Sequence, residues 1–523
     1  MPHIWRVRLA AAAVTAAAAA GPAAAQTPDL PEGLDGRETT SDSPGGSGPA
    51  LPEGLDGGDG NGGSGPDLPE GLGGGADGDS GAGPSLPEGL GGDGATTAGG
   101  DDDAADGKRK KTGPLAGILS GWRLGGYVDT RVGTRFVDDK AGQERFALAE
   151  TRTEIKALRS WSDVTVTLTG HVVGDAVAEE YTPDLQDGTG AFDLREASVL
   201  WRATPFMDVK LGRQILTWGT GDFVFLNDLF PKDWASFFIG RRDTMLKAPS
   251  DAAKVSLYSD FANLNVVYTP QFDADRHISG DRVSYYNPFA RDIVGDERTL
   301  DTDQPDDVFD DDEWAARLYR SIGRYEVALY GYDGFWKSPQ GLRPSSQEVT
   351  FPRLRVGGWS VQGPVPRLGG IGSVEFAYYD SRDDRDGDDP FIPNSEARLL
   401  FGWDREIGKN LTLGLQYKRT QRLNHDTLVA NTPPSAPVTE EVRHLVTGKL
   451  SKSWPAEQVT ATMFTFYSPS AGTYYLRPRL NWSPTDSVTV EAGINWFIGD
   501  SPKTQFGQLD QNDNVFVGLR YGF

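Results

Sequence analysis

From Gly121 to Phe523 the chain repeats one pattern, short runs in which apolar and polar side chains alternate. A strand points successive side chains to opposite faces, so each run has one apolar and one polar face. In the first run Trp122, Leu124, Gly126, Val128, Thr130, Val132 and Phe136 share a face, opposite Arg123, Tyr127, Asp129, Arg131 and Arg135. Eighteen such runs can be counted: 121–136, 144–158, 163–174, 191–204, 206–217, 252–259, 262–270, 313–322, 324–337, 350–362, 370–382, 395–407, 409–422, 441–453, 456–468, 472–483, 486–498 and 514–523. Beyond the first residues no apolar stretch reaches the roughly 18 residues that a spanning helix needs. A barrel needs none, because only alternate residues face lipid. The pattern therefore predicts an all-β fold, a transmembrane antiparallel β-barrel of about 18 strands over residues 114–523.

The connections support this count. Short ones (Thr204-Pro205, Gly323, Gly408-Lys409, Trp454-Pro455, Pro484-Thr485) alternate with long ones such as 218–251 and 271–312. Membrane barrels have short periplasmic turns and long outer loops, and an even strand count leaves both barrel ends on the turn side. A soluble sandwich would account for an amphipathic closing strand, but it would not impose this alternation. The last run sets Val515, Val517, Leu519, Tyr521 and Phe523 against Phe516, Gly518, Arg520 and Gly522. Its aromatic end resembles the closing strand of Gram-negative outer-membrane barrels, where the assembly machinery reads the position held here by Phe523.

The N-terminus reads as a secretory signal over residues 1–25. Arg6 and Arg8 precede an Ala/Val run from Leu9 to Ala20, and Ala23-Ala24-Ala25 offers a small-residue cleavage site. Cysteine is absent, which excludes disulfides, thiolate sites and a lipoprotein anchor. Residues 26–113 are rich in Gly, Pro, Asp and Ser. Between Thr27 and Gly107 there are 18 acidic residues and one arginine, a net charge of −17. Such a segment cannot bury enough apolar surface to offset its ordering entropy, so a disordered, acidic periplasmic tail is expected. Within it Leu-Pro-Glu-Gly-Leu occurs four times, bracketed by Leu30 and Leu34, Leu51 and Leu55, Leu68 and Leu72, and Leu86 and Leu90. The motifs read either as short binding sites for a periplasmic protein, gaining avidity from their linkage, or as spacer spread by repeat expansion. The chain's net charge of −24 argues against nucleic acid as a partner.

The 218–251 connection is the long loop most out of place in water. Five Phe, Trp234 and Ile239 are interleaved with Asp222, Asp228, Lys232, Asp233, Arg241, Arg242 and Lys247. Folded into the lumen, it would bury the rings and narrow the pore, with Arg241, Arg242 and Lys247 facing Asp222, Asp228 and Asp233, and Arg213 just before it. The alternative is a lid on the outer rim. Strand registers also place Arg123, Arg131, Arg152, Arg353, Arg355, Arg477, Arg479 and Arg520 on inward faces, opposite Asp129, Glu154, Glu375 and Glu491. Together the arginines form either an anion-attracting path or a lumen knitted by ion pairs.

Gly212-Arg213-Gln214, Trp218-Gly219 and Asn227-Asp228-Leu229-Phe230-Pro231 resemble a group of proteobacterial outer-membrane barrels, broadly the porin and alginate-export type. The resemblance covers roughly Ala191 to Pro288 and, in a general way, the closing strand. It implies an outer-membrane location amid lipid and lipopolysaccharide, and a basic lumen, which in the alginate-export barrels conducts an acidic polysaccharide. The acidic tail has no counterpart there, and the motifs identify no substrate.

Two loops are strongly acidic, 301–313 and 380–389. They either share divalent cations at the surface or are simply solvated, and their spacing matches no ordered calcium loop. His171, His277, His425 and His444 show no metal-ligand spacing, and there is no serine-hydrolase elbow. No metal, cofactor or catalytic residue is assigned. The sequence thus points to an outer-membrane channel for small polar or anionic solutes. Its rival is an outer-membrane component of an envelope export or lipid-trafficking system, recruited by the tail.

Overall fold

A strand with one apolar and one charged face leaves unpaired backbone at its edges, and hydrocarbon cannot satisfy those groups. Closing the sheet on itself removes the edges. The computed structural model describes residues 121–523 apart from 138–140, 179–180, 300 and 434–438, and within them the sheet closes. The signal segment, the acidic tail and its Leu-Pro-Glu-Gly-Leu motifs lie outside the described residues.

Eighteen strands form the barrel. They are β1 (Arg123–Arg135), β2 (Phe146–Ser160), β3 (Val164–Asp175), β4 (Phe192–Thr204), β5 (Met207–Ile215), β6 (Pro249–Leu257), β7 (Asn263–Thr269), β8 (Glu313–Ile322) and β9 (Tyr325–Phe335), then β10 (Arg353–Pro364), β11 (Ile371–Ser381), β12 (Glu396–Gly408), β13 (Leu411–Arg422), β14 (Val442–Trp454), β15 (Val459–Ser468), β16 (Thr473–Thr485), β17 (Val488–Ile498) and β18 (Asn514–Gly522). Each pairs antiparallel with its neighbour in sequence, and β1 closes on β18 with Asp129 opposite Arg520 and Thr130 opposite Leu519. Every strand coincides with a run expected from alternation.

The two faces differ as the sequence implies. Leu124, Val132, Leu168, Val199, Leu211, Leu329, Phe401, Leu480, Val517 and Leu519 stand exposed on the outer face. An apolar belt of that extent is untenable in water and suits hydrocarbon. Trp161, Trp201 and Trp482 flank the short-turn rim. The paired rings of Tyr268 with Trp314 and of Tyr467 with Tyr474 stand toward the other. These are the aromatic girdles of a membrane-spanning barrel. The protein is thus an outer-membrane β-barrel of porin-like architecture.

Candidate functional site

The chain leaves β5 after Ile215 and returns to β6 at Pro249. Between them Leu216, Trp218, Phe223, Leu226, Phe237, Phe238, Ile239 and Leu246 are all buried. A one-and-a-half-turn helix, α1 (Trp234–Ile239), sits at the centre. Asp233 caps it, accepting from the Ser236 N–H at 2.7 Å. Gly240 ends it with φ of +96°, where a Cβ would also collide with the Phe516 ring.

The segment bonds to inward-facing residues around the barrel. On β11 the Glu375 carboxylate accepts from the Thr220 and Asn227 N–H groups and from both side chains, at 2.8–2.9 Å. The Tyr379 hydroxyl donates to the Leu226 carbonyl at 2.5 Å. Toward β15, Phe223 meets Phe464 with centroids 4.8 Å apart. Toward β16 and β17, Phe237 meets Tyr475 and Phe238 meets Phe497, at 6.0 and 5.5 Å. On β18, Asn514 donates to the Phe238 carbonyl at 3.0 Å. On β1, Arg131 donates to the Gly240 carbonyl at 3.0 Å. The segment therefore spans the interior from the β5–β6 wall to the opposite strands.

The expected constriction residues are present in this insert, but they do not oppose one another as two rows. Arg241 pairs with Glu150 of β2 at 2.8 Å and Arg242 approaches Asp129 of β1 at 3.8 Å. Asp222 reaches Lys449 of β14 at 3.5 Å. Lys232 pairs with Asp228 at 3.0 Å, within the segment itself. Asp233 is the helix cap and lies 3.7 Å from Arg276. The Lys247 amine is buried without a hydrogen-bond partner. The physical reason is proximity. In a packed, water-poor interior each charge takes the nearest opposite charge instead of projecting a field across a gap.

Titration follows from these partners. Burial opposes the charge of Arg241, but Glu150 and Asp233 outweigh it and hold its pKa above the ordinary value. Burial likewise works against the Asp243 carboxylate, and Arg477 and Arg479 hold its pKa below the usual range. Lys247 is pulled down to about 7 by burial, which Asp228 opposes only in part.

Arg131, Arg477, Arg479 and Arg520 share the inward face with Tyr127, Asp129, Glu491 and Tyr475. Arg131 bridges Asp129 and Glu491 at 2.6 and 2.7 Å. Arg479 also pairs with Glu491, at 2.6 Å. Arg477 pairs with Asp243 at 2.5 Å. Arg520 stacks on the Tyr127 ring 3.7 Å from its centroid. Arg152 lies 3.5 Å from both Glu150 and Asp193. Arg123 is on the same face of β1, exposed at the short-turn rim.

Three expected positions are corrected. Arg353 and Arg355 do not face the lumen. In β10 the inward residues are Leu354, Val356 and Ser360, all buried, while the arginines share a face with exposed Trp359. Arg355 pairs there with Asp333 at the long-loop rim. The assumed register was one residue out, which turns every side chain to the other face. Arg213 is also displaced. It sits opposite Ala197 near the long-loop end of β5, buried, where it pairs with Asp251 of β6 at 2.7 Å and donates to the Leu194 carbonyl at 2.7 Å.

A second inward segment escaped the sequence reading. In the connection after β7, Phe272, Asp273, Asp275, Arg276, Val283 and Ser284 are buried. Asp275 accepts from the Lys232 N–H at 2.8 Å and the Trp234 indole at 3.0 Å, so this stretch lies against the insert. Its charged composition resembled a solvated loop. The signal available was the interleaving of Phe272, Val283 and Tyr285 with those charges. The acidic 380–389 loop is bonded internally: Asp384 accepts from the N–H groups of Gly387, Asp388 and Asp389. Glu313, at the end of the other acidic run, is buried against Lys337 at 2.6 Å. His277 is half-buried, and its Nδ1 lies 3.3 Å from the Asp275 carbonyl.

No family model and no curated protein matches the sequence. Among solved structures, the chain is similar to OccAB3 of Acinetobacter baumannii, at 10% identity and a TM-score of 0.45, covering 77% of this chain and 99% of that one. It is similar also to OccK11 (OpdR) of Pseudomonas aeruginosa, at 10% identity and a TM-score of 0.46, covering 77% and 96%. OprB of Pseudomonas putida gives 12% identity and a TM-score of 0.36 over 78% and 96%.

Proposed function

We propose that the barrel is an outer-membrane channel for small polar or anionic solutes, and that the 216–248 insert is its constriction. What supports this most is the charge of the insert's tip. Arg241, Arg242 and Asp243 meet Glu150 of β2, Asp129 of β1, and Arg477 and Arg479 of β16. A solute passing there moves between fixed charges in a narrow space, which sorts by charge and dipole. Arg242 is the loosest of these, with a partner at 3.8 Å and a side chain 19% exposed. It is the cation an anionic solute meets with least competition.

Planar-bilayer recording tests this. Deleting 222–246 raises single-channel conductance. Arg242→Glu moves the reversal potential toward cations, and the shift shrinks at high salt because screening shortens the reach of fixed charge. If both variants conduct and select like the parent, the insert is not the filter. The second reading, an export or lipid-trafficking component, draws support from the four Leu-Pro-Glu-Gly-Leu motifs of the tail, which a plain channel does not need. On that reading Leu30, Leu34, Leu51, Leu55, Leu68, Leu72, Leu86 and Leu90 hold a periplasmic partner, and the purified barrel is electrically silent.

A further inference from the structure

A group of cations stands apart from the insert's ion pairs, on the wall formed by β12, β13 and β14. Glu396 is the first residue of β12, Arg422 the last of β13, and Arg443 the second of β14. All three therefore lie at the long-loop rim. Glu396 is buried and is contacted by Arg398 at 2.8 Å, Arg443 at 2.7 Å and Arg422 at 3.8 Å. Lys418 stands one step further down the same inward face, opposite Leu400. Its charged neighbours are Arg398, Arg443 and Glu396. Among the described residues no acid lies within ion-pair distance of its amine, and the buried Arg422 Nε has no hydrogen-bond partner.

Four cations thus gather round one carboxylate. Like charges held this close destabilise one another, and a single buried Glu cannot neutralise them. Aromatic packing fixes Arg398 further, since its guanidinium lies 3.7 Å from the Tyr379 centroid and 5.4 Å from that of Trp336. Arg443 keeps 44% of its side chain exposed, so the group is open to a small molecule entering from outside. Guanidinium forks and an ammonium suit carboxylate and phosphate oxygens. The face points inward, which removes lipid headgroups from consideration.

We propose that Arg398, Lys418, Arg422 and Arg443 form an anion-docking site at the outer mouth for a small solute bearing carboxylate or phosphate groups. The inference deepens the channel reading by naming the class of solute met first, and it is tested without conduction. Full-length protein purified in detergent is titrated calorimetrically at low salt with citrate and, separately, with inorganic phosphate. The parent binds citrate or phosphate, and Lys418→Gln and Arg443→Gln each weaken that binding by about tenfold. The better probe tells a carboxylate site from a phosphate site. Lys418→Gln removes an unpaired charge and keeps the fold, which a heat-modifiable band on a gel checks. The proposal is overturned if neither anion binds the parent, or if both variants bind as tightly as the parent. If citrate binds as described but the barrel is silent in a bilayer, the channel reading fails and the docking site stands.

Discussion

The insert meets the barrel wall in two unlike ways. Toward β15, β16 and β17 it presents rings: Phe223, Phe237 and Phe238 against Phe464, Tyr475 and Phe497. Toward β1 and β2 it presents charges: Arg242 and Arg241 against Asp129 and Glu150. The first contact is non-directional and gains from area removed from water. The second gains little net energy on forming, yet breaking it leaves a buried charge without a partner. The aromatic side therefore seats the segment, and the ionic side holds its tip in one position.

Three substitutions would break or sharpen that contrast. The largest effect is expected on the aromatic side. Phe237→Ala empties a fully buried site, and such truncations cost about 3–5 kcal/mol. Amide exchange across 216–248 would rise while that of the barrel strands stays slow. Equal protection in variant and parent would mean the rings do not seat the insert. Next comes Arg241→Ala, which strands the buried Glu150 carboxylate. The loss is expected near the low end of the range for broken buried pairs, about 3 kcal/mol, because Arg152 remains 3.5 Å from Glu150. Adding Glu150→Gln should recover part of it, and a strictly additive double variant would show that the two do not act as a pair.

The smallest effect concerns Lys247, which belongs to neither side. Its folded pKa, about 7, lies below the ordinary 10.5, so the unfolded chain binds the extra proton between those values. Stability then rises with pH across that window, and below about 7 the full penalty of a buried ammonium applies. Thermal unfolding of the parent should shift upward from pH 7 to pH 10 relative to Lys247→Met. The variant should be the more stable at pH 7. Parallel curves would place the amine in contact with water.

Much of the barrel was legible because period-two alternation is local: the residues that define a lipid-facing strand are its own. The same rule placed Arg131, Arg477, Arg479 and Arg520 on the inner face. It failed for Arg353 and Arg355, where one step of register separates lumen from lipid and Gly357-Gly358 blur the alternation. Adjacency to the loop in sequence groups Arg213 with the constriction, yet it lies in β5 and pairs with Asp251 of the neighbouring strand.

Composition was enough to mark 218–251 as too apolar for water, since the sum of its side chains is a property of the segment alone. Which charge meets which was not readable from it. Arg241 finds Glu150 across 91 residues, and Asp243 finds Arg477 across 234. Glu375 receives four hydrogen bonds from a segment more than 140 residues earlier. Pairing in a packed interior is decided by distance, and distances inside a barrel are set by closure of the whole sheet. Alternation along the chain determined the strands and their two faces; closure of the tertiary structure decided the partners of the charges within.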